Sequence, residues 1–463
     1  GDECRVRLDS QQVSVKSVLL NRGGYSYLTG PAVPGKEKQE AAPVPGGSTP
    51  SLPWTVRVGS VVLDDNRAEY GLLNHRPAAG FDPSFIVLST LDLAVDSIYN
   101  RGADIALQIR RMAFTERSGL TVSDMTGDIG MDASGISLAG VTLKTPFSRI
   151  EANISAGEGI LALAPDSPLK ADLMADVNTK DLKYLYPALI PPVLDGRIVS
   201  LALTAAGTLG DIGKAGLDIS SPGHVAFTAD GAARNVLDPG RMEASARFEG
   251  DFRDMAFLEA LLPDSALRRR IAIPDRIRLR GTAGADKGAF SAASTLSTDG
   301  GEIALQGRLD TRSEAYGIEL RCDSFPLNSF LPADSLGLLD LALQAGGSGF
   351  DPLRAQTRGN IRLQVDRAEF RGRDFGGVKL NANLEGGQLS GRLSDRDEAL
   401  RLLLLISGTL TERKQEVRLT GNVFDFDLAE LGISPQKIGG SFALEAGASA
   451  SDAGSYTARI ALD

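Results

Sequence analysis

Short runs in which apolar and polar residues alternate recur along almost the whole chain. Residues 91–95 alternate Leu or Val with Asp and Ala, and residues 361–365 alternate Ile, Leu and Val with Arg and Gln. Alternation over four to eight residues, bounded by Gly, Asp, Asn or Pro, is typical of antiparallel strands with one buried face. Helical periodicity never extends beyond two turns. The pattern therefore predicts an all-β-dominated chain with a few short helices.

A longer phrase also repeats, and internal repeats change the interpretation of a whole fold. Each copy has a short helix of leucine and aromatic residues, a break containing proline, an alternating strand and a glycine. In the second copy the helix is expected to end at Pro263, and the strand to contain Ile273, Ile277 and Leu279. The first three copies begin 73 residues apart, and the fourth begins 100 residues after the third. The copies cover residues 181–207, 254–281, 327–347 and 427–447.

These patterns predict four sections. Residues 1–30 are leading strands, and residues 31–53, with six prolines and no apolar periodicity, are a Pro-rich flexible loop. Residues 54–180 form a β-repeat section in which Asp64, Asp65 and Asn66 predict a turn. Residues 181–463 form a second β-repeat section with four helix-strand units starting near 181, 254, 327 and 427.

A long sheet with one aliphatic face must hide that face from water. It can pair with a second sheet, close into a barrel, wind into a β-helix, or curl into a trough filled by something apolar. A β-helix would repeat every 20–30 residues, and no such period is present. A sandwich would bring more large aromatic residues into its core, whereas aromatic residues make up only 6% of this chain.

The prediction is therefore a long curled and twisted antiparallel β-sheet, a half-pipe or taco-like trough, whose short helices plug the trough or buttress its edge. In residues 402–406 both faces of the strand are apolar, so a helix or another strand is expected to cover the outer side there. The residues predicted to line the groove are Ile303, Leu305, Ile361, Leu363, Val365, Val378, Leu380 and Leu384.

Composition narrows the function classes. The net charge is −10 and there is no basic tract, which argues against nucleic acid as a partner. No run of 18 apolar residues is present, so the sequence predicts no membrane-spanning helix within the chain. The chain starts and ends in the middle of strand patterns. We therefore expect it to be part of a longer protein, with any membrane anchor or export signal outside it.

Few residues of the sequence are candidates for catalysis or metal binding. His75 and His224, the two histidines, both lie in turn-like sequences, where exposed loop residues are expected rather than catalytic bases or zinc ligands. Cys322 shares a strand face with Ile318 and Leu320, which predicts a buried structural thiol. Acidic pairs are scattered through turns. The sequence therefore predicts no catalytic residues, no metal site, no cofactor and no enzyme activity.

Three phrases carry a family resemblance: WTVRVGSVVLDDNRAEY at 54–70, the helix-then-strand unit beginning at 181, and GGVKLNANLEGGQLSGRLS at 376–394. They resemble the AsmA-like superfamily and, within it, the TamB-type translocation and assembly module proteins of diderm bacteria. The resemblance implies a periplasmic half-pipe that bridges the inner and outer membranes and carries phospholipid acyl chains. It also implies an inner-membrane helix and a C-terminal domain that meets an outer-membrane barrel protein. Neither is recognisable here, so both are expected outside this chain.

The leading hypothesis is a periplasmic bridge-like lipid carrier module with phospholipid as its cargo. The alternative is a chaperone or assembly factor for outer-membrane β-barrel proteins, which would hold an unfolded strand by β-augmentation. A structural stalk with a dry, self-filled interior is a third hypothesis. An enzyme acting on polysaccharide is the weakest, because paired carboxylates among aromatic sugar platforms are absent from the sequence.

Overall fold

A computed structural model describes residues 4–7, 12–29, 54–72, 75–157, 164–187, 190–262, 264–451 and 456–463. It confirms the all-β prediction, with 68% of residues in strands and 7% in helices. The chain divides into two compact units, which are Gly1–Pro222 with Ala232–Leu237, and Gly223–Gly231 with Asp238–Asp463. The predicted Pro-rich loop at 31–53 lies outside the described residues.

The strands of unit 1 are β1 (Cys4–Arg7), β2 (Gln12–Asn21), β3 (Gly24–Thr29), β4 (Thr55–Leu72), β5 (Phe85–Arg101), β6 (Asp104–Glu116), β7 (Thr121–Asp132), β8 (Gly135–Lys144), β9 (Arg149–Gly157), β10 (Pro168–Asn178), β11 (Ile198–Thr208) and β12 (Ile212–Ser221). Helix α1 (Thr179–Leu185) and a 3-10 turn (Pro192–Leu194) connect β10 to β11. Strands β4 to β12 pair consecutively and antiparallel. However, β2 and β3 both pair with β4 in parallel, so the sheet is mixed here rather than antiparallel throughout.

Asn66 bridges the parallel strands and is only 1% exposed. Its Nδ2 donates to the carbonyl oxygens of Leu20 (3.0 Å) and Asp64 (2.9 Å), and its Oδ1 accepts from the N–H of Gly23 (2.8 Å). Strand β4 therefore runs straight through residues 64–66, and the turn predicted there is wrong. Asp65 has a φ of +52°, and the register shifts around Asn66, as in a β-bulge.

The next strand is β13 (Val225–Arg234), whose residues belong to both units. The remaining strands, all in unit 2, are β14 (Glu243–Arg253), β15 (Arg276–Asp286), β16 (Ala289–Ser297), β17 (Glu302–Asp310), β18 (Ala315–Pro326), β19 (Leu336–Ser348), β20 (Arg358–Phe370), β21 (Arg373–Phe375), β22 (Val378–Glu385), β23 (Gln388–Arg396), β24 (Leu400–Leu410), β25 (Lys414–Asp427), β26 (Gly439–Ser451) and β27 (Tyr456–Leu462). From β14 to β27 each strand pairs antiparallel with the next, except that β20 pairs with both β21 and β22. Within the described residues β27 pairs with β26 alone, so these strands do not close into a barrel.

The repeated phrases of unit 2 form mostly 3-10 turns rather than α-helices. The second phrase contains a 3-10 helix (Met255–Leu261) and an additional short helix α2 (Ser265–Arg270), and β15 begins after Ile273 rather than at it. The third phrase contains two 3-10 turns (Leu327–Ser329 and Pro332–Asp334). The helix predicted in the fourth phrase is wrong: residues 428–432 form turns. Gly432, with a φ of +69°, ends the segment after a single turn.

Because the strands of unit 2 alternate in direction, these phrases all lie at the same end of the strands. We call this end the helix rim of unit 2, formed by residues 254–262, 264–275, 327–335, 371–377 and 428–438. Neighbouring connections are hydrogen-bonded to each other: the N–H of Ala272 donates to the carbonyl of Phe330 (2.9 Å), and that of Arg371 to Ser335 (2.7 Å). The guanidinium of Arg371 also donates to the carbonyl of Gly432 (3.0 Å). These hydrogen bonds thus join the connections of the helix rim to one another along one end of the strands.

Several register shifts of unit 2 also lie near the helix rim. They occur between Cys322 and Phe325 in β18, between Arg401 and Leu402 in β24, and after Val423 in β25. A β-bulge bends its strand and increases the local twist. These bulges therefore bend the strands of unit 2 at their ends nearest the helix rim.

Few apolar side chains of the described residues are fully buried. Unit 1 holds most of the buried apolar side chains, which are Val87, Leu91, Val95, Ile109, Val122, Ala152, Ala156 and Ala175. The corresponding side chains of unit 2 are Cys322, Phe325, Ala399, Leu404 and Val423. The outer face of β24 is uncovered at Leu405, which is 53% exposed between its cross-strand partners Arg392 and Thr420. The expectation that a helix or strand covers this position is wrong for the described residues.

Candidate functional site

The register of unit 2 arranges side chains in rows that cross many strands. In antiparallel neighbours, residues opposite each other in the register lie on the same face of the sheet. Leu363 in β20 lies opposite Leu343 in β19 and Leu380 in β22. The row continues on both sides through Leu305, Leu320, Leu393 and Leu404. Leucine therefore occupies this row without interruption from β17 to β24.

Three parallel rows lie beside the leucine row on the same face. One contains Ile303, Cys322, Leu341, Val365 and Val378. On the other side, one row contains Ile318, Ala345, Ile361, Ala382 and Ile406, and the outermost row contains Tyr316, Gly347, Gly359, Leu384 and Leu389. We call these four rows between β17 and β24 the aliphatic face.

The aliphatic face brings together all eight residues predicted to line a groove. Ile303, Val365 and Val378 share a row, as do Leu305, Leu363 and Leu380, while Ile361 and Leu384 occupy the two rows on the far side. These residues come from β17, β20 and β22, which are up to 81 positions apart in sequence. Their contact with lipid remains a prediction.

No layer of described protein covers the aliphatic face. Leu305 is 41% exposed and Ile318 is 44% exposed, while Leu363 is half-buried. Cys322 and Leu404 alone among its described apolar members are buried. On the opposite face the side chains between these rows are polar and exposed, as at Arg362, Gln364, Lys379 and Asn381. The two faces of one sheet thus differ sharply in chemistry, and the apolar one is open.

The dimensions of the aliphatic face follow from sheet geometry. The seven strands from β17 to β24, without β21, have six spacings of about 4.8 Å, which gives a length of about 29 Å. Rows on one face are two residues apart along a strand, so four rows extend over about 20 Å. An open apolar surface of this extent is typical of interaction sites and ligand-binding grooves.

One end of the aliphatic face carries an aromatic pair that sequence reasoning missed. The rings of Tyr316 and Phe350 stack with their centroids 6.2 Å apart. The Tyr316 hydroxyl lies over two glycines, since a Cβ added to Gly347 would approach it to 2.9 Å and one added to Gly359 to 3.5 Å. Glycine at these positions therefore leaves room for a tyrosine that has an apolar ring and a polar tip.

A carboxylate that sequence reasoning also missed lies in the aliphatic face at its helix-rim end. The register places Asp395 opposite Leu402 in β24 and continues the row of Val378. Its side chain is 7% exposed, and its Oδ1 accepts the N–H of Asp397 at 3.0 Å. Burial raises the pKa of Asp395 above its ordinary value of 3.8.

We expect Asp395→Asn to raise the denaturation midpoint at neutral pH. Between pH 3.8 and the raised pKa, the folded chain binds more protons at this site than the unfolded chain. The stability of the native protein therefore falls as the pH rises through that window. An amide oxygen can still accept the Asp397 N–H but carries no charge. Urea titrations of both proteins should converge below pH 3.8, whereas an equal difference at every pH would contradict this assignment.

Both histidines contact other residues, which the sequence did not predict. His75 Nε2 lies 2.7 Å from Oδ2 of Asp82, and the His75 side chain is only 31% exposed, so the expectation of an exposed loop residue is wrong there. Asp82 accepts a hydrogen bond from the N–H of Ala78, which is the largest cause of its lowered pKa, and its hydrogen bond with His75 is the second. The pKa of Asp82 is lowered to about 2. His224 Nδ1 lies 3.2 Å from the carbonyl of Arg253, and its ring meets Phe257 edge-on. Both histidines thus help to fix strand connections.

The other candidate chemistry remains modest. Cys322 is a buried free thiol whose pKa burial raises, in agreement with the structural interpretation. Across the described part of the chain, no three His, Cys, Asp or Glu side chains come together in a group able to hold a metal ion. Every helix in the same residues is too short or too polar to span a bilayer.

A comparison of the chain with protein-family models, curated proteins and solved structures finds no match.

Proposed function

We propose that this chain is a periplasmic bridge-like lipid carrier module that conducts phospholipid acyl chains along the aliphatic face. The observation that supports the proposal is the uninterrupted row of leucines from Leu305 to Leu404, which is flanked by further aliphatic rows and whose members, apart from the buried Leu404, are half-buried or exposed. An acyl chain laid on this surface replaces water and gains roughly 0.8 kcal/mol for each CH₂ that is fully buried.

The uniformity of the rows suits a conduit better than a binding pocket. Leucine follows leucine across seven strands, so an acyl chain that slides by one strand spacing meets nearly the same surface. Its free energy therefore changes little along the path, and no single position traps it. Headgroups remain in water at the open side of the aliphatic face, so the protein does not need to supply hydrogen-bond partners for them.

The same geometry disfavours the face as a platform for an unfolded protein strand. In β17 to β24 the backbone groups are already paired with neighbouring strands on both sides. β-Augmentation requires unpaired N–H and C=O groups, which only an edge strand offers. A chaperone for outer-membrane β-barrel proteins therefore remains the alternative, and the crosslinking measurement below distinguishes it.

The cellular setting in this proposal comes from the resemblance to AsmA-like, TamB-type proteins. It places the chain in the periplasm, between inner and outer membranes that other parts of the protein would reach, with an outer-membrane barrel protein as a partner. The acidic net charge of −10 agrees with a role that does not involve nucleic acid.

Native mass spectrometry with lipid extraction tests this function. We expect the chain purified from a bacterial periplasm to retain phospholipids of mixed acyl composition, because the aliphatic face selects for apolar length alone. A folded, monodisperse chain without lipid would contradict the proposal.

A further inference from the structure

A second surface of unit 2 has features of a membrane contact. Arg268 and Arg269, in helix α2 at the helix rim, are both exposed, and neither forms an ion pair among the described residues. Leu267 beside them is 41% exposed, and Leu261, at the end of the preceding 3-10 helix, is 43% exposed. We call these four residues the rim patch.

Two arginines close to the rim patch in sequence are paired. Arg270, the next residue, is paired with Asp334 at 3.1 Å, and Arg276 is paired with Asp251 at 2.6 Å. The guanidiniums of Arg268 and Arg269 thus remain unpaired in a chain whose net charge is −10. Unpaired arginines beside exposed leucines match a surface that offers both anionic phosphates and an apolar layer.

We propose that the rim patch binds the surface of a bilayer containing anionic phospholipid. The arginines would pair with headgroup phosphates, and Leu261 and Leu267 would enter the boundary between headgroups and acyl chains. The acidic remainder of the chain is repelled by such a surface, so the patch would also determine which side of unit 2 faces the membrane. This contact does not require a lipid-conducting groove.

Flotation with phospholipid vesicles tests the rim patch. The whole chain is mixed with vesicles of phosphatidylcholine alone, or of phosphatidylcholine with phosphatidylglycerol, at low and high salt. We expect enrichment on the anionic vesicles that salt weakens. Each arginine near such a surface contributes about fivefold to binding, so R268E/R269E should bind at least about tenfold more weakly.

A matched variant controls for net charge. Arg312 and Arg413 are exposed in turns at the opposite end of the strands, and R312E/R413E changes the net charge by the same amount. It should lower vesicle binding by about twofold or less. The preference for anionic over neutral vesicles, which R268E/R269E alone should remove, separates this site from the aliphatic face, whose leucines carry no charge.

Three outcomes would overturn the proposal. One is equal loss of binding in the two arginine variants, and another is the absence of enrichment on anionic vesicles. The third is self-association of the native chain that R268E/R269E abolishes without affecting vesicle binding, which would assign the patch to a second copy. Circular dichroism confirms that each variant remains folded.

Discussion

Leu363→Asp is expected to abolish phospholipid retention while the sheet stays folded. Leu363 lies at the centre of the leucine row, between Leu343 and Leu380, and is half-buried. A carboxylate there remains partly hydrated in the empty protein, so folding tolerates it. An acyl chain passing over it must remove that water, and burying an unpaired charge costs far more than a CH₂ contact gains. Lipid bound per chain, measured by extraction and mass spectrometry, should fall to background.

The neighbouring residue provides the control for this variant. Gln364→Asp makes the same change in net charge one residue further along β20, on the polar and exposed face. It should retain lipid at the native level. Equal retention by both folded variants would show that the aliphatic face is not the lipid path, and equal loss would point to a general effect of charge.

Asn66→Ala should destabilise the leading strands by about 3 kcal/mol. The substitution removes three partly buried hydrogen bonds, those to the carbonyls of Leu20 and Asp64 and from the N–H of Gly23. The carbonyl of Asp64 still accepts the N–H of Arg22 at 3.0 Å. Hydrogen exchange should therefore accelerate strongly in β2 and β3, with little change in unit 2.

Asn383→Ala serves as the comparison for Asn66. Asn383 is exposed on the polar face of β22, where an alanine changes stability by about 0.5 kcal/mol or less. If the exchange rates of β2 and β3 were the same in both variants, Asn66 would not be what holds the parallel strands.

Much of the fold was predictable because hydrophobic alternation depends directly on sequence. The period of two identified the strands. The register, which the sequence does not give, places Leu363 opposite Leu380 on one face. The repeated phrase identified positions where the chain turns at the helix rim. It did not distinguish 3-10 turns from helices, because the tight return to a neighbouring strand, rather than helix propensity, determines the geometry there.

The features that sequence missed depend on partners distant along the chain. Asn66 lies in a polar triplet that predicts a turn, and only the parallel approach of β2 buries it between strands. Asp395 resembles a turn residue, since two acidic residues follow within three positions. The register that places it beside Leu402 in the aliphatic face is set by the hairpin of β23 and β24.

Photocrosslinking across the two faces tests the central claim most directly. A photoreactive residue is placed in turn at Leu305, Leu343 and Leu380 in the leucine row, and at Gln306, Gln344 and Asn381, the adjacent positions on the polar face. After irradiation in a diderm bacterium, we expect phospholipid adducts at the first three positions and none at the second three. Adducts with unfolded outer-membrane protein, or lipid adducts at all six positions, would contradict it.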